Sequence, residues 1–162
     1  MFPGMLINSN YAYEGDIPAD KPYLQGQAMS LFSTMMTNGM LHRVKNTLKR
    51  KSKRLLDQTA YQNATCIPNR HYAGLKIVPI DRIRGSEGRM EDFDDAFYPL
   101  HDRLRSRWLS VASVRLTGEG LSPVELIHTG GVYFVRDGHH RISVAKALGE
   151  VFIDAEVINV TC

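Results

Sequence analysis

Residues 132–149, VYFVRDGHHRISVAKALG, constrain the fold more than any other stretch of the chain. A β-branched and aromatic run ends in Asp-Gly, and an apolar stripe at helical spacing follows at once through Ile142, Ala145 and Leu148, closed by Gly149. This predicts a strand feeding directly into a helix. Upstream, PVELIH (123–128) and VYFVR (132–136) flank Thr-Gly-Gly, a glycine-containing hairpin connection. LKIVPI (75–80) and IDAEVI (153–158) read as further strands. YPLHDRLRSRWLSVASVRL (98–116) reads as a helix opened by Pro99 and striped by Leu100, Leu104, Trp108 and Val111, with Trp108 in the core.

The start of the helix after Asp137 carries the polar groups that need explaining. Asp137 is placed to accept hydrogen bonds from the first helical N–H groups, and Gly138 permits a turn forbidden to other residues or a close approach of a ligand to the backbone. The first-turn N–H groups point outward at the positive end of the helix dipole, which attracts phosphate; Arg141 adds a fork of donors, and His139 and His140 add donors on two faces. A plainer reading makes Asp137 an N-cap paired with Arg141 at i, i+4, with both histidines solvated. A zinc site fits poorly, because adjacent helical histidines point about 100° apart and the chain has no HExxH or CxxC.

The first part of the chain has a different character. Residues 1–23 hold Pro3, Pro18 and Pro22 and show no usable period, so they read as an extended or disordered lead-in. The spacing Leu24, Ala28, Leu31, Met35 is helical, Thr-Asn-Gly at 37–39 suggests a stop, and a second helix is expected through Leu41, Val44, Leu48 and Leu55. Leucines 41, 48 and 55 keep a seven-residue interval, but Lys51 interrupts the apolar seam, which favours ordinary packing over a coiled coil. Residues 62–74 read as a linker, so the expected division is a lead-in over 1–23, a helical basic segment over 24–62, and a compact domain over 74–162. EDFDDAF (91–97) reads as a helix start and solvated segment in preference to a metal site.

Charge separates the same parts. Between 42 and 54 the chain places Arg43, Lys45, Lys49, Arg50, Lys51, Lys53 and Arg54 with no acid among them. The whole chain has 20 basic and 17 acidic side chains, so the remainder is mildly acidic. The run is a candidate nucleic-acid contact, and otherwise a solvated face or a membrane-surface or partner helix. No apolar stretch reaches 18 residues and the N-terminus lacks a signal-peptide pattern, so no membrane span is expected and the cytoplasm is the default location. Cys66 and Cys162 have no metal-ligand spacing and read as reduced thiols.

Taken together, LKIVPIDRI, the PVEL strand, the glycine-turned hairpin, the strand ending in Asp-Gly, the alanine-containing helix and the closing IDAEVI resemble the ParB/sulfiredoxin-like superfamily over about residues 74–160. The resemblance implies a small α/β (α+β) domain with a mixed sheet and a helical insertion, preceded here by the basic helical segment. Sulfiredoxins carry a reactive cysteine where this chain has His139, so their reductase chemistry lacks its nucleophile. Partition-type ParB proteins, which bind CTP, have Gly-Glu-Arg-Arg where Gly138, His139, His140 and Arg141 stand. ParB-like free-serine kinases are similar at the whole Asp-Gly-His-His-Arg turn and use it to hold nucleotide phosphates and metal.

That last resemblance implies Gly138, His139, His140 and Arg141 at the phosphates of a nucleoside di- or triphosphate (ATP, ADP or CTP), Asp137 as the Mg²⁺ anchor, and a catalytic set of Glu87, Asp137 and His139. Glu87, in RIRGSEGR, would be the base, or else a surface partner of Arg84 or Arg89. The expected function is a Mg²⁺-dependent phosphotransferase or nucleotide hydrolase. The alternative is a DNA-binding regulator or partition-like module without catalytic activity, holding nucleic acid through 42–54. A homodimer stays open.

Overall fold

The computed structural model describes residues 22–49, 54–58 and 68–161. Its frame is a six-stranded mixed sheet with helices, the α/β class expected. The elements run α1 (Pro22–Leu48), β1 (Leu56–Asp57), β2 (Asn69–Pro79), β3 (Ile83–Ser86), α2 (Arg105–Leu116), β4 (Val124–Thr129), β5 (Val132–Asp137), α3 (His139–Ala147) and β6 (Phe152–Thr161). Strand order is β1-β3-β5-β4-β6-β2. β1, β3 and β5 run parallel to one another, β4 is parallel to β6, and the β4–β5 and β6–β2 pairs are antiparallel.

The hairpin between β4 and β5 has a two-residue loop, Gly130-Gly131. Both glycines take positive φ (57° and 82°), the conformation that matches the twist of the flanking strands. β2 begins at Asn69, inside the stretch read as linker, because residues 69–72 continue the pairing with β6 across a register shift between Tyr72 and Leu75. Side-chain alternation along the strands divides the core. Leu126, Val135, Ile142, Ala145, Ala155 and Val157 pack on the helical side of the sheet, while Ile127, Phe134 and Val160 form a smaller cluster on the other side.

A second apolar cluster joins α1, α2 and α3: Ala28, Phe32 and Met35 of α1 meet Trp108, Val111 and Ala112 of α2 and Val144 of α3. Trp108 is fully buried, as expected, and its indole N–H donates to Ser143 Oγ of α3 at 2.9 Å. This packing sets the first half of α1 against α2 and α3.

Three local expectations are corrected. The stop at 37–39 does not occur, and α1 runs unbroken through Gly39. A Cβ at Gly39 would lie 2.7 Å from Tyr98 Cβ, so the glycine admits a close neighbour and does not end the helix. In the second half of α1, Leu41, Val44 and Leu48 are exposed. Pro99 does not open a helix either. It forms a bridge with Phe93, and α2 starts only at Arg105 after a 3₁₀ turn over Asp102–Leu104.

The acidic stretch 91–97 is the third correction, since Phe93, Asp94 and Phe97 are fully buried. Asp94 Oδ1 accepts the backbone N–H groups of Ala96 and Tyr98, both at 3.0 Å, and Phe97 takes a left-handed φ of 63°. Asp and Asn commonly close turns this way, in competition with a helix. No helix among the described residues is long and apolar enough to cross a membrane.

Candidate anion site at the start of the third helix

Parallel strands β3 and β5 end side by side, and the loop after each lies at the same edge. From β5 the chain passes through Gly138 straight into α3; from β3 it enters the loop of Glu87, Gly88 and Arg89. Crevices beyond the carboxyl ends of parallel strands are where open α/β sheets bind ligands. Gly138 has φ 103° and a Cβ there would lie 2.5 Å from Val124 Cγ1, so packing alone already requires glycine.

Gly138 is itself the N-cap, and no side chain caps α3. The first intrahelical hydrogen bond runs from the Ile142 N–H to the Gly138 carbonyl at 3.0 Å, which leaves the N–H groups of His139, His140 and Arg141 without helical partners. Asp137 does not cap them. Its Oδ2 pairs with Arg141. Arg141 also donates, at 2.7 Å each, to the carbonyls of Ser122 and Pro123 and to Ser122 Oγ, tying the helix start to the entry of β4.

The two histidines are buried, not solvated. Ser86 Oγ, fully buried at the end of β3, accepts the N–H groups of Gly88 (3.1 Å) and Arg89 (3.0 Å). Its own O–H is then left to donate to His139 Nε2 at 2.7 Å, so the imidazole proton sits on Nδ1. Phe93 stacks on the His139 ring (6.0 Å between centroids) and meets His140 edge-on (5.3 Å). His140 Nε2 is buried without a hydrogen-bond partner. Burial pushes both pKa values down to about 4, assisted by the positive charges of Arg89 at His139 and of Arg107 and Arg89 at His140. Both rings are neutral at pH 7.

Glu87 lies at the same edge, half-buried, with its N–H donating to the Val135 carbonyl at 2.9 Å. Its ion partners are Arg70 of β2 (3.3 Å) and Arg136 of β5 (3.7 Å), in place of the expected Arg84 or Arg89. The structure therefore brings Glu87, Asp137, Gly138, His139, His140 and Arg141 to one edge of the sheet. It separates them by role: Asp137 and Glu87 reach solvent, while the histidine rings lie beneath. Ser86, Phe93, Arg70 and Arg136 were not legible in the sequence as parts of this region, because β3 and the buried turn at 93–97 carry no periodic signal. A cavity of about 120 Å³ beside Arg141, lined by Arg115, Glu150 and Asp154, is too small for a nucleotide.

Of the basic segment, Lys45 is exposed on α1 and Lys49 is exposed just after it, Arg43 is half-buried and Arg54 is exposed. Arg50, Lys51 and Lys53 lie outside the described residues, as do Cys66, Cys162 and the lead-in through residue 21.

No family model matches the chain, and no curated protein matches it. Among solved structures it is similar to a sulfiredoxin from Arabidopsis thaliana, at 21% sequence identity over 51% of this chain and 82% of that one, with a TM-score of 0.38.

Proposed function

We propose that the protein binds a nucleotide through its phosphates at the start of α3 and acts on it as a Mg²⁺-dependent phosphotransferase or nucleotide hydrolase. The observation that carries this reading is the uncapped first turn of α3, set where β3 and β5 end together, with the positive charges of Arg107 and Arg89 acting at His140. The free N–H groups of His139, His140 and Arg141 would take phosphate oxygens. Arg141, anchored by the Ser122 and Pro123 carbonyls, would hold the turn in place and lend its charge.

His139 acts in this proposal as a positioning residue, since its Nε2 is occupied by Ser86 and its ring is neutral. Glu87, oriented between Arg70 and Arg136, is the group available to take a proton from an acceptor hydroxyl or from water. Asp137 fits a Mg²⁺ anchor: it is exposed, and its pairing with Arg141 uses Oδ2 and leaves Oδ1. Bound Mg²⁺ would offset charge on the phosphate oxygens.

Calorimetric titration with ATP, ADP, CTP and GTP, each with Mg²⁺, tests the binding; no heat with any of the four overturns it. Glu87→Gln tests the chemistry. It should leave nucleotide affinity nearly unchanged and lower turnover, measured as hydrolysis or as transfer to hydroxyl acceptors with free serine first, by about 10²–10⁴-fold. Unchanged turnover removes Glu87 from the mechanism.

A further inference from the structure

His42 of α1 faces the buried turn at 93–98 through three donor atoms that belong to no part of the phosphate reading. Its Nδ1 lies 3.2 Å from Asp94 Oδ2 and 3.6 Å from Asp95 Oδ1, and the three atoms all lie within 4.8 Å of one another. We infer that His42, Asp94 and Asp95 form a site for a divalent cation of the zinc class, clamping α1 to this turn.

The donor set and spacing support that class. One imidazole nitrogen with carboxylate oxygens suits Zn²⁺ better than Mg²⁺ or Ca²⁺, which prefer all-oxygen shells. Bonds of about 2.0–2.2 Å at tetrahedral angles place neighbouring donors about 3.3–3.6 Å apart, close to the 3.2 Å and 3.6 Å between His42 and the two carboxylates. Water or another ligand would complete the coordination.

Asp94 is prepared for this role by the backbone. Its side chain is fully buried and the Ala96 and Tyr98 N–H groups hold Oδ1, which leaves Oδ2 turned toward His42. An imidazole proton balances at most one of two neighbouring carboxylates, whereas a divalent cation balances both. Lys146, with its ammonium over the Phe97 ring, acts on both carboxylates from beyond ion-pair distance.

Asn46, one turn along α1 and 8% exposed, supplies the outer support. Its side-chain amide lies 3.3 Å from His42 Nε2 and 3.5 Å from Asp95 Oδ1. With the amide nitrogen toward Nε2, the imidazole carries its proton on Nδ1 and donates it to Asp94. Half a turn of the amide presents Asn46 Oδ1 to an Nε2–H and bares Nδ1 for a cation, which takes over Asp95 Oδ1 from the amide nitrogen, so loading releases or shifts one proton.

The test uses the full chain after chelator treatment, titrated with Zn²⁺ by calorimetry and with Co²⁺ by visible absorption, and with Mg²⁺ and Ca²⁺ as controls. One Zn²⁺ per chain, a higher melting temperature and Co²⁺ bands of a nitrogen–oxygen site are expected. His42→Gln and Asp95→Asn should each lose the bands and weaken Zn²⁺ binding by about a hundredfold or more, and Asn46→Ala by about 10–100-fold. Asp95 is partly exposed and outside the hydrogen bonds that close the turn, so Asp95→Asn keeps the test open if His42→Gln fails to fold. No Zn²⁺ binding by the parent, binding of Mg²⁺ or Ca²⁺ in preference, or unchanged Zn²⁺ affinity in folded His42→Gln and Asp95→Asn overturns the assignment.

Discussion

The turn that opens α3 and the turn at 93–98 lie against one another through Phe93, and they are opposite in electrical character. The first gathers free backbone N–H groups and the guanidiniums of Arg89 and Arg107 around two buried histidines. The second gathers Asp94 and Asp95 around His42. In the first, burial and cationic neighbours keep the imidazoles neutral; in the second, an imidazole is hydrogen-bonded to a buried carboxylate. The same residue type therefore serves two different ends, and what differs is which charges the fold brings beside it.

The sharpest way to break this arrangement is at the residue both turns share. Phe93→Ala removes a fully buried ring from beneath His139 and His140 and from the segment that carries Asp94, at an expected cost of about 3–5 kcal/mol in stability. Urea denaturation of the parent and the variant measures it. A loss under about 1 kcal/mol means that the two turns are not mechanically joined.

Acid acts on the first turn. His139 and His140 have folded pKa values near 4 against an ordinary 6.5, so the unfolded chain binds more protons between those limits. Stability should be fully present above about pH 6.5 and fall as pH drops toward 4, by about 1.4 kcal/mol per histidine per pH unit, on the order of 3 kcal/mol each. Denaturation midpoints from pH 7.5 to 4.5 report the slope, and His139→Gln should flatten it. An equal slope in that variant assigns the acid sensitivity to other groups.

A smaller effect comes from two glycines of α1. Gly39→Ala places a methyl group 2.7 Å from Tyr98 Cβ and should destabilise by about 1–3 kcal/mol, loosening the side of the 93–98 turn that faces α1. Gly26→Ala has open space around it and should stabilise by about 0.5–1 kcal/mol through helix propensity. Thermal melts of both distinguish a glycine kept for contact from one that is not. Equal and stabilising effects would mean that Tyr98 yields freely.

Reading from the residues went furthest where the signal was local. The Gly130-Gly131 loop, the β-branched strands beside it and the helix closed by Gly149 each declare themselves within a few positions, and each stands where it was expected. β3 was missed because Arg84 and Gly85 interrupt any alternation. Gly85 is there since a Cβ would lie 2.4 Å from Phe134 Cδ1 and from the Leu56 carbonyl oxygen, partners far away in the chain. The stop at Gly39 and the helix at Pro99 failed for the same reason, Tyr98 having claimed the glycine and Phe93 the proline.

At the α3 turn, the sequence determined that a strand passes through Asp-Gly into a helix whose first N–H groups need partners from outside the helix, but not that Asp137 would leave them uncapped and pair with Arg141. It did not determine where the side chains went. Arg141 could have turned outward and the histidines could have been solvated; the carbonyls of Ser122 and Pro123, the hydroxyl of Ser86 and the ring of Phe93 decided otherwise. In the same way His42 and Asp94 stand 52 residues apart, and no local pattern marks them as neighbours. Backbone conformation at a turn depends on the few residues that make it, whereas the charge and solvation of a side chain depend on everything packed around it, which only the tertiary structure assembles.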